Sequence, residues 1–430
     1  MISDLSKIKK VFLLGIGGIG VSALARMFKE AGAEVRGSDS SSSFITEELQ
    51  KIGIEVYEGQ NLEHIPGDTD LVVYTVAIRD FASDFLESVK QKFPNTLSYP
   101  EVLGLISREK FTIAVSGTHG KTTTTAMTAE IMIEGKFEPT VVVGSLLSKY
   151  KSNYVGGSGK YFLVEACEYE KSFLQISPKI AVVTNIDNDH LDFYGSYENI
   201  VKTFGEFLMS VPEDGYIVCD PDGKGVKEAL EGVKAKVVDY KKYFDPHLAL
   251  QVFGVHNRKN AAAALAVAEI LGISAEDAKK SLFGFTGTWR RFEYKGNTPE
   301  GSKVVSDYAH HPTEIKATIE AAIEAVGGKK VFVIFEPHLY SRTKLLLSEF
   351  AESFAGAEKT VILPIYPARE VFDGSITSQM VVEKAGSEAV TYEDSPQSAV
   401  DYITRFAGEG DIILTLGAGK IESLYKLLVV

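Results

Sequence analysis

The chain has few cysteines, no excess of basic residues and no long hydrophobic run, and each absence excludes a class of protein. Two cysteines in 430 residues are too few for a disulfide framework, which favours a reducing compartment such as the cytoplasm. The net charge of −13 argues against a surface for nucleic acid or anionic lipid. The apolar run from Val11 breaks at Gly15, and no run spans a bilayer, so we expect neither a signal peptide nor a membrane segment.

The length predicts about three domains, at roughly 150 residues each. An apolar content of 45% and a charged content of 24% are typical of globular proteins. Short apolar runs alternate with helical patterns, which is typical of an α/β fold with parallel sheets. The predicted strands are 11–14, 33–36, 71–75, 111–115, 161–166, 179–186, 215–220, 303–309, 331–337, 360–365 and 411–417, and a long helix is predicted at 256–271.

The first motif is VFLLGIGGIGVSALA at 11–25, in which an apolar run leads into Gly15-x-Gly17-x-x-Gly20 and then into a helical pattern. Glycines let the backbone approach a diphosphate, and a helix start offers N–H donors. Asp39 follows at about the distance of an acid that binds a ribose hydroxyl. Two interpretations stay open: a phosphate cradle, or a glycine-rich turn that only packs a helix on a sheet. The flanking pattern favours the cradle.

The second motif, GTHGKT at 117–122, lies between a predicted strand and a predicted helix. Backbone N–H groups of such a loop cradle phosphates, while Lys121 reaches the terminal ones and the Thr122 hydroxyl binds magnesium. The loop is shortened, because Val115 stands where the first glycine is common. A Gly-Lys-Thr that simply starts a helix is the alternative, and the agreement of three residue types at one turn makes it the weaker one.

Carboxylates follow two of the neighbouring predicted strands. Glu165 ends the strand at 161–166, and the acidic segment 187–192 follows the strand at 179–186. Magnesium bound to a nucleotide takes oxygen ligands, and the carboxyl ends of parallel strands meet at one edge of the sheet. For 187–192, two interpretations are about equal when it is taken alone: metal ligands, or a solvated turn with a capping aspartate. The adjacent phosphate loop favours the ligands.

Eight motifs together resemble the Mur ligases, and the matches run in order over nearly the whole chain. They are GTHGKTT (117–123), TNIDNDHLD (184–192), HNRKNAAAALAVAE (256–269), GTWRRFE (287–293), DYAHHPTEI (307–315), PHLYSRT (337–343), YPARE (366–370) and TLGAGKI (415–421). The resemblance implies an α/β fold of three domains: a Rossmann-like UDP-sugar domain at 1–107, a central ATP-binding domain at 108–286 and a Rossmann-like amino-acid domain at 287–430.

Within the family, the motifs are most similar to the ligases that join L-alanine to UDP-N-acetylmuramate in peptidoglycan precursor synthesis. The implied reaction uses ATP with Mg²⁺: the muramate carboxylate takes the γ-phosphoryl group, and the amine of L-alanine attacks the acyl phosphate. The implied partners are these three substrates. The charge and the cysteine content above add the expectations of no nucleic-acid or membrane partner and of a cytoplasmic location, and we expect a monomer or weak dimer. Closure of the domains is also implied, because some ATP contacts lie beyond the central domain.

The resemblance assigns roles residue by residue. The catalytic set is Lys121, Glu165, His190 and His310, and the metal set is Thr122, Glu165 and His190, with His190 acting partly through water. ATP is assigned to Gly117, Thr118, His119, Gly120, Lys121, Thr122, Thr123, His256, Asn257, Asn260, Arg291 and Asp307. The UDP-sugar is assigned to Gly15, Gly17, Gly18, Gly20 and Asp39, although Asp39 has the alternative of capping the serine-rich loop beside it. The amino acid is assigned to Tyr308, His310 and Arg342, the alternative for Arg342 being a solvated arginine at a helix start.

Several positions depart from the family pattern or lie outside its chemistry. Leu339 stands where many relatives have a basic residue, which removes one contact to the amino-acid carboxylate. Cys167 stands in what is commonly an acidic run, and we expect it to be small and buried. The segment between Tyr240 and His256 is short. His311 precedes Pro312, which predicts a helix cap.

Three other functions compete with this assignment. The first is a ligase that attaches a recovered peptide to the UDP-sugar. The second is an NAD-dependent oxidoreductase built on the first domain, which leaves the loop at 117–122 and Glu165 unexplained. The third is a UDP-sugar sensor that keeps the fold without catalysis.

Overall fold

The computed structural model describes residues 5–368 and 370–429, so that Arg369 of the YPARE motif lies outside the described residues. The chain divides into two compact units. Of the described residues, the first comprises 5–186, 201–243 and 263–281, and the second comprises 187–200, 244–262, 282–368 and 370–429. The first unit contains two sheets and the second contains one, and parallel pairs predominate in all three.

The first sheet has five parallel strands in the order β3-β2-β1-β4-β5. Its central strands, β1 and β4, are almost wholly buried, because apolar side chains occupy both of their faces. The strands are β1 Lys10–Leu14, β2 Glu34–Asp39, β3 Glu55–Glu58, β4 Leu71–Tyr74 and β5 Thr96–Ser98. The helices are α1 Ile19–Glu30, α2 Phe44–Lys51, α3 Ile78–Phe81, α4 Ser83–Lys92 and α5 Tyr99–Glu109.

The second sheet, also in the first unit, has seven strands in the order β12-β11-β10-β6-β9-β7-β8. All pairs are parallel except β7 with the edge strand β8. The strands are β6 Phe111–Ser116, β7 Thr140–Leu147, β8 Ser152–Val155, β9 Tyr161–Glu165, β10 Ile180–Val183, β11 Tyr216–Cys219 and β12 Lys236–Asp239. The helices that follow along the chain are α6 Lys121–Glu134, α7 Leu191–Tyr194, α8 Tyr197–Met209, α9 Val226–Ala229, α10 Val255–Ile270 and α11 Ala275–Phe283.

The third sheet lies in the second unit and has six strands in the order β13-β14-β18-β15-β16-β17, of which only β13 is antiparallel to its neighbour. Apolar clusters pack on both faces of it. The strands are β13 Glu293–Asn297, β14 Lys303–Asp307, β15 Val331–Phe335, β16 Lys359–Ile362, β17 Val390–Tyr392 and β18 Ile412–Leu416. The helices are α12 Pro312–Val326, α13 Tyr340–Leu345, α14 Leu347–Glu352, α15 Ser378–Ala385, α16 Pro396–Ile403 and α17 Tyr425–Leu428.

The predicted α/β class with parallel-sheet domains is confirmed, whereas the domain boundaries at 107 and 286 stay a prediction. The strand predicted at 179–186 is shorter, Ile180–Val183, and the side chains of Thr184 and Asn185 beyond it bind His119 of a neighbouring loop. The His311 cap is confirmed: its Nδ1 accepts the Thr313 N–H at 3.2 Å, with Pro312 in the first turn of α12. None of the helices within 5–368 and 370–429 is long and apolar enough to cross a membrane.

Candidate active site

The loop at 117–120 joins β6 to α6 in the first unit, and Asn185 holds it in place. The side chain of Asn185 accepts the His119 N–H and donates to the His119 carbonyl, both at 3.0 Å. The Asn185 carbonyl accepts the Thr118 N–H, also at 3.0 Å. Gly117 has φ +129°, and a Cβ there would collide with the Thr184 hydroxyl. The loop therefore has its shape before any ligand binds.

Thr122 and Glu165 meet at the start of α6. The Thr122 hydroxyl donates to Glu165 Oε1 at 3.0 Å, while the Gly144 N–H donates to Glu165 Oε2 at 2.6 Å. Thr122 is buried, and Thr123, the next residue, is half-buried. A hydroxyl and a carboxylate are the hard oxygen donors that Mg²⁺ prefers, so this pair fits the metal predicted from the sequence.

Lys121 folds back onto the loop that precedes it. Its ammonium donates to the Gly117 carbonyl at 2.6 Å, to the Thr118 carbonyl at 2.9 Å and to Glu168 Oε1 at 3.0 Å. Burial alone would lower the pKa of Lys121, but the carboxylate of Glu168 raises it above its ordinary value. The lysine is therefore charged at neutral pH.

The first glycine loop satisfies most of its own donors. The Gly15 N–H binds the Ser38 carbonyl at 2.8 Å, the Gly18 N–H binds the Gly15 carbonyl at 3.0 Å, and the Gly17 N–H binds Asp39 Oδ2 at 2.8 Å. Gly18 is the N-cap of α1 and offers no side chain to the first turn. These bonds occupy the amides of Gly15, Gly17 and Gly18, and Asp39 braces the loop.

Two residues pack on the start of α1 within the first unit. The Tyr99 ring lies against Gly20, where a Cβ would come within 2.7 Å of Tyr99 Cζ and 3.0 Å of its hydroxyl oxygen. Asn153 on β8 donates through Nδ2 to the Ser22 hydroxyl at 2.8 Å and to the Ile19 carbonyl. Gly20 is therefore required for the Tyr99 contact rather than only for a turn.

In the second unit, Arg342 forms a buried ion pair with Asp189. Arg342 Nη2 and Nε donate to Asp189 Oδ1 at 2.9 and 3.2 Å. His190 follows in a left-handed conformation, φ 53°, and its Nε2 lies 3.7 Å from Asp189 Oδ2. Leu339 is buried beside them with φ 72°, which is rare for a bulky residue. Parts of 188–192 and 339–346 line one small pocket.

His310 is held by its own segment of the second unit. Its Nδ1 lies 2.9 Å from the Tyr308 carbonyl and 3.2 Å from Glu314 Oε2. Burial lowers the pKa of His310 to about 3, so the imidazole is neutral at pH 7. Because both neighbours of Nδ1 are acceptors, the proton resides on Nδ1 and the lone pair on Nε2.

Asp307, the last residue of β14, binds two backbone N–H groups near Tyr308. Asp307 accepts the Phe292 N–H at 2.6 Å and the Ala309 N–H at 2.7 Å, and burial raises its pKa to about 6. The guanidinium groups of Arg290 and Arg291 lie 4.7 and 5.1 Å from the Tyr308 ring centroid. Stacked cations of this kind fix the ring.

The predicted ATP residues on α10 form a short polar row in the second unit. Asn257 donates to the Phe253 carbonyl at 2.6 Å, and Asn260 lies 3.4 Å from Asn257 Oδ1. Both asparagines are buried, and burial lowers the pKa of the neighbouring His256 to about 4. The contact between Asn260 and Asn257 is long, so the hydrogen bond between these two amides is weak.

Comparison with known proteins gives three family matches in chain order. They are the Mur ligase family catalytic domain at residues 10–111, the Mur ligase middle domain at 115–246 and the Mur ligase glutamate ligase domain at 290–419. Two relatives named UDP-N-acetylmuramate–L-alanine ligase are each 40% identical. One, from Caldanaerobacter subterraneus subsp. tengcongensis, matches 97% of this chain and 96% of its own length; the other, from Acetivibrio thermocellus, matches 99% and 97%.

The chain belongs to the Mur ligase family. The structure agrees with a crystal structure of UDP-N-acetylmuramate-alanine ligase from Thermotoga maritima, with a TM-score of 0.78 and 26% identity over 97% of both chains. A murein peptide ligase from Psychrobacter arcticus matches over 98% of both chains with a TM-score of 0.70, and its identity of 23% supports the fold alone. These relatives do not favour the oxidoreductase alternative.

The Mur ligase site contains residues that the sequence reasoning missed. Glu168 binds Lys121, Asn185 shapes the phosphate loop, and Glu314 faces His310. Glu168 lies just after the predicted strand at 161–166 and close to the predicted ligand Glu165, and this position was a usable signal. Asn185 lies inside the predicted strand at 179–186, so the sequence offered no such signal for it. Glu314 lies four residues after His310, in the first turn of α12.

One expectation from the sequence is wrong. Cys167 is exposed rather than buried, because it lies on the loop after β9 where the chain has left the sheet. The buried ion pair of Arg342 with Asp189 also argues against the weaker alternative for this residue, a solvated arginine. Between Tyr243 and Val255 this Mur ligase has neither a helix nor a strand, which agrees with the short segment there. The ligand-binding roles of the site residues stay predictions.

Proposed function

We propose that this Mur ligase joins L-alanine to the carboxylate of UDP-N-acetylmuramate, with cleavage of ATP to ADP and phosphate. The observation that carries the proposal is the 40% identity, over nearly the full length, to ligases that are named for this activity. The carboxylate oxygen bonds to the γ-phosphorus as ADP leaves. The amine then bonds to the carbonyl carbon, phosphate leaves, and the amine loses a proton.

The first unit would bind the sugar nucleotide and the phosphates of ATP. The uncapped start of α1 attracts the diphosphate, since helix N-termini carry free N–H donors and a positive dipole end. The pre-shaped loop at 117–120 and the charged Lys121 neutralise the terminal phosphates. Thr122 and Glu165 would hold Mg²⁺, which supplies charge neutralisation at the phosphates when bound.

The second unit would contribute His190, the α10 asparagines, Arg291, Asp307, Tyr308, His310 and Arg342, in the roles that the family resemblance assigns. Neutral His310 presents the lone pair of Nε2, which can accept a hydrogen bond from an incoming amine. Arg342 would face the amino-acid carboxylate, to which a guanidinium offers a forked donor.

The test is ADP release with purified protein, Mg²⁺ and ATP. Release should need both UDP-N-acetylmuramate and an amino acid, and Lys121→Ala should abolish it while UDP-sugar binding is kept. A protein that releases ADP only with a peptide would be the peptide ligase. One that binds the sugar without ever releasing ADP would be the sensor.

We further propose that the enzyme acts in the cytoplasm as a monomer or weak dimer. Two free cysteines and the cytoplasmic substrates that the family implies support this location. Sedimentation at several protein concentrations measures the oligomeric state directly.

A further inference from the structure

The ammonium of Lys121 has three N–H groups, and three acceptors surround it. Two are carbonyls of its own loop, Gly117 and Thr118, and the third is the carboxylate of Glu168, whose second oxygen is also 2.9 Å away. A phosphate that binds Lys121 must therefore replace one of these acceptors.

Glu168 is the acceptor that a phosphate replaces most naturally. The two carbonyls are fixed by the loop, whereas Glu168 is an anion, as a phosphate is. The Glu168 side chain is 3% exposed and that of Lys121 is 14% exposed, so water screens this pair little. A buried carboxylate beside the lysine also repels a polyphosphate that approaches the same ammonium.

We propose that Glu168 is a positioning residue, which holds Lys121 folded on the phosphate loop until a nucleotide phosphate takes its place. The proposal deepens the proposed function, on which it rests for the identity of the nucleotide. Glu168 then lowers nucleotide affinity and raises turnover: it competes for the ammonium before binding, and it fixes the direction from which the ammonium reaches the phosphate.

The predicted effect of Glu168→Gln is therefore a split between affinity and turnover. The glutamine keeps the shape of the side chain and removes its charge, so the dissociation constant for ADP should fall roughly threefold to tenfold while kcat falls. Glu168→Asp keeps the charge but shortens the reach, and it should shift both quantities in the same direction by less. A purely structural role would instead lower stability and weaken ADP binding.

The experiment is calorimetric titration of the full-length enzyme with ADP and Mg²⁺, without sugar or amino acid, on a double-mutant cycle. The variants are E168Q, Lys121→Met and the double variant, which carries neither buried charge. The gain in affinity from E168Q should vanish in the Lys121→Met background, because Glu168 acts through Lys121. Glu130→Gln is the matched control. Glu130 lies on α6, the helix that begins at Lys121, and its buried carboxylate also binds a lysine, Lys149.

Three results would overturn the proposal: ADP affinity unchanged or weaker in E168Q, an equal gain in the Lys121→Met background, or an equal gain in E130Q. Thermal melting of each variant tests its folding, and E168D gives the same comparison if E168Q melts early. If no substrate set supports ADP release while the cycle behaves as predicted, the ligase function fails and the positioning role stands.

Discussion

Asp189 and Arg342 are 153 residues apart in the sequence, yet they form a buried ion pair in the second unit. Arg342 binds Asp189 Oδ1 through both Nε and Nη2, and the two side chains are 7% and 10% exposed. Burial alone would raise the pKa of Asp189, but Arg342, with the nearby histidines, holds it well below its ordinary value. The pair ties the segment after β10 to the start of α13.

Arg342→Ala should destabilise the protein by about 3–5 kcal/mol, because it leaves the Asp189 carboxylate buried without a counter-charge. Urea denaturation measures the loss. Arg258→Ala is the matched control: Arg258 also binds a carboxylate through two nitrogens, but its partner Glu324 is 40% exposed, so that loss should stay below about 1 kcal/mol. Equal losses in the two variants would contradict the buried pair.

Glu165→Gln should reduce magnesium-dependent ADP release by about a hundredfold or more, because an amide replaces a hard anionic ligand. Thr122→Val should reduce ADP release as well, because it removes the hydroxyl that donates a hydrogen bond to Glu165. Thr125→Val is the control on the same helix, since its hydroxyl only binds the Lys121 carbonyl. Magnesium titrations at saturating ATP provide the measurement, and an unchanged magnesium dependence in both site variants would reject the site.

Gly20→Ala should weaken binding of UDP-N-acetylmuramate, because the new methyl group would lie 2.7 Å from Tyr99 Cζ and displace the ring or the first turn of α1. Tyr99→Ala in the same chain removes the collision and should restore part of the affinity. Thermal-shift titration with the sugar nucleotide detects both changes. If Gly20→Ala leaves the affinity for UDP-N-acetylmuramate unchanged, the Tyr99 contact does not shape the site.

His256 should make stability depend on pH between 6.5 and about 4. Burial lowers the pKa of His256 most, and the positive charges of Arg258 and Arg291 lower it further. The carboxylates of Glu314 and Glu324 act in the opposite direction and raise it by less. The folded protein therefore binds fewer protons, so His256 stabilises it above pH 6.5, and this contribution is lost as the pH falls through about 4. The loss is at most about 3 kcal/mol.

Urea denaturation at pH 7.5 and 5.0 tests this dependence. His256→Gln should lose less stability than the unmutated protein between the two values, whereas the exposed His247→Gln should lose as much. If the free energy of unfolding depends on pH in the same way in the unmutated protein and in His256→Gln, then His256 is not buried in its neutral form.

The sequence predicted the features that local patterns encode. Buried parallel strands such as β15 appear as continuous apolar runs, and Pro312 after His311 indicates a helix start with its cap. The GTHGKT loop was recognisable because its glycines, lysine and threonine are fixed in spacing by the turn that they form.

What the sequence could not predict depends on residues brought together from distant segments. The pairing of Arg342 with Asp189 is one example, because nothing near either residue in the sequence indicates the other. The contact of Tyr99 with Gly20 is a second example, because it forms only where α1 approaches the start of α5. The antiparallel edge strands β8 and β13 were also missed, as were β3, β5, β7, β12 and β17.

The central claim is that this Mur ligase forms an amide between UDP-N-acetylmuramate and L-alanine, and the product itself tests it most directly. Purified enzyme is incubated with ATP, Mg²⁺ and the sugar nucleotide plus L-alanine, glycine, L-serine or a tripeptide, and the products are identified by mass spectrometry. We predict UDP-N-acetylmuramyl-L-alanine as the main product, formed in equal amount with ADP. A product formed only with the tripeptide, or none with any of the four, would contradict the account.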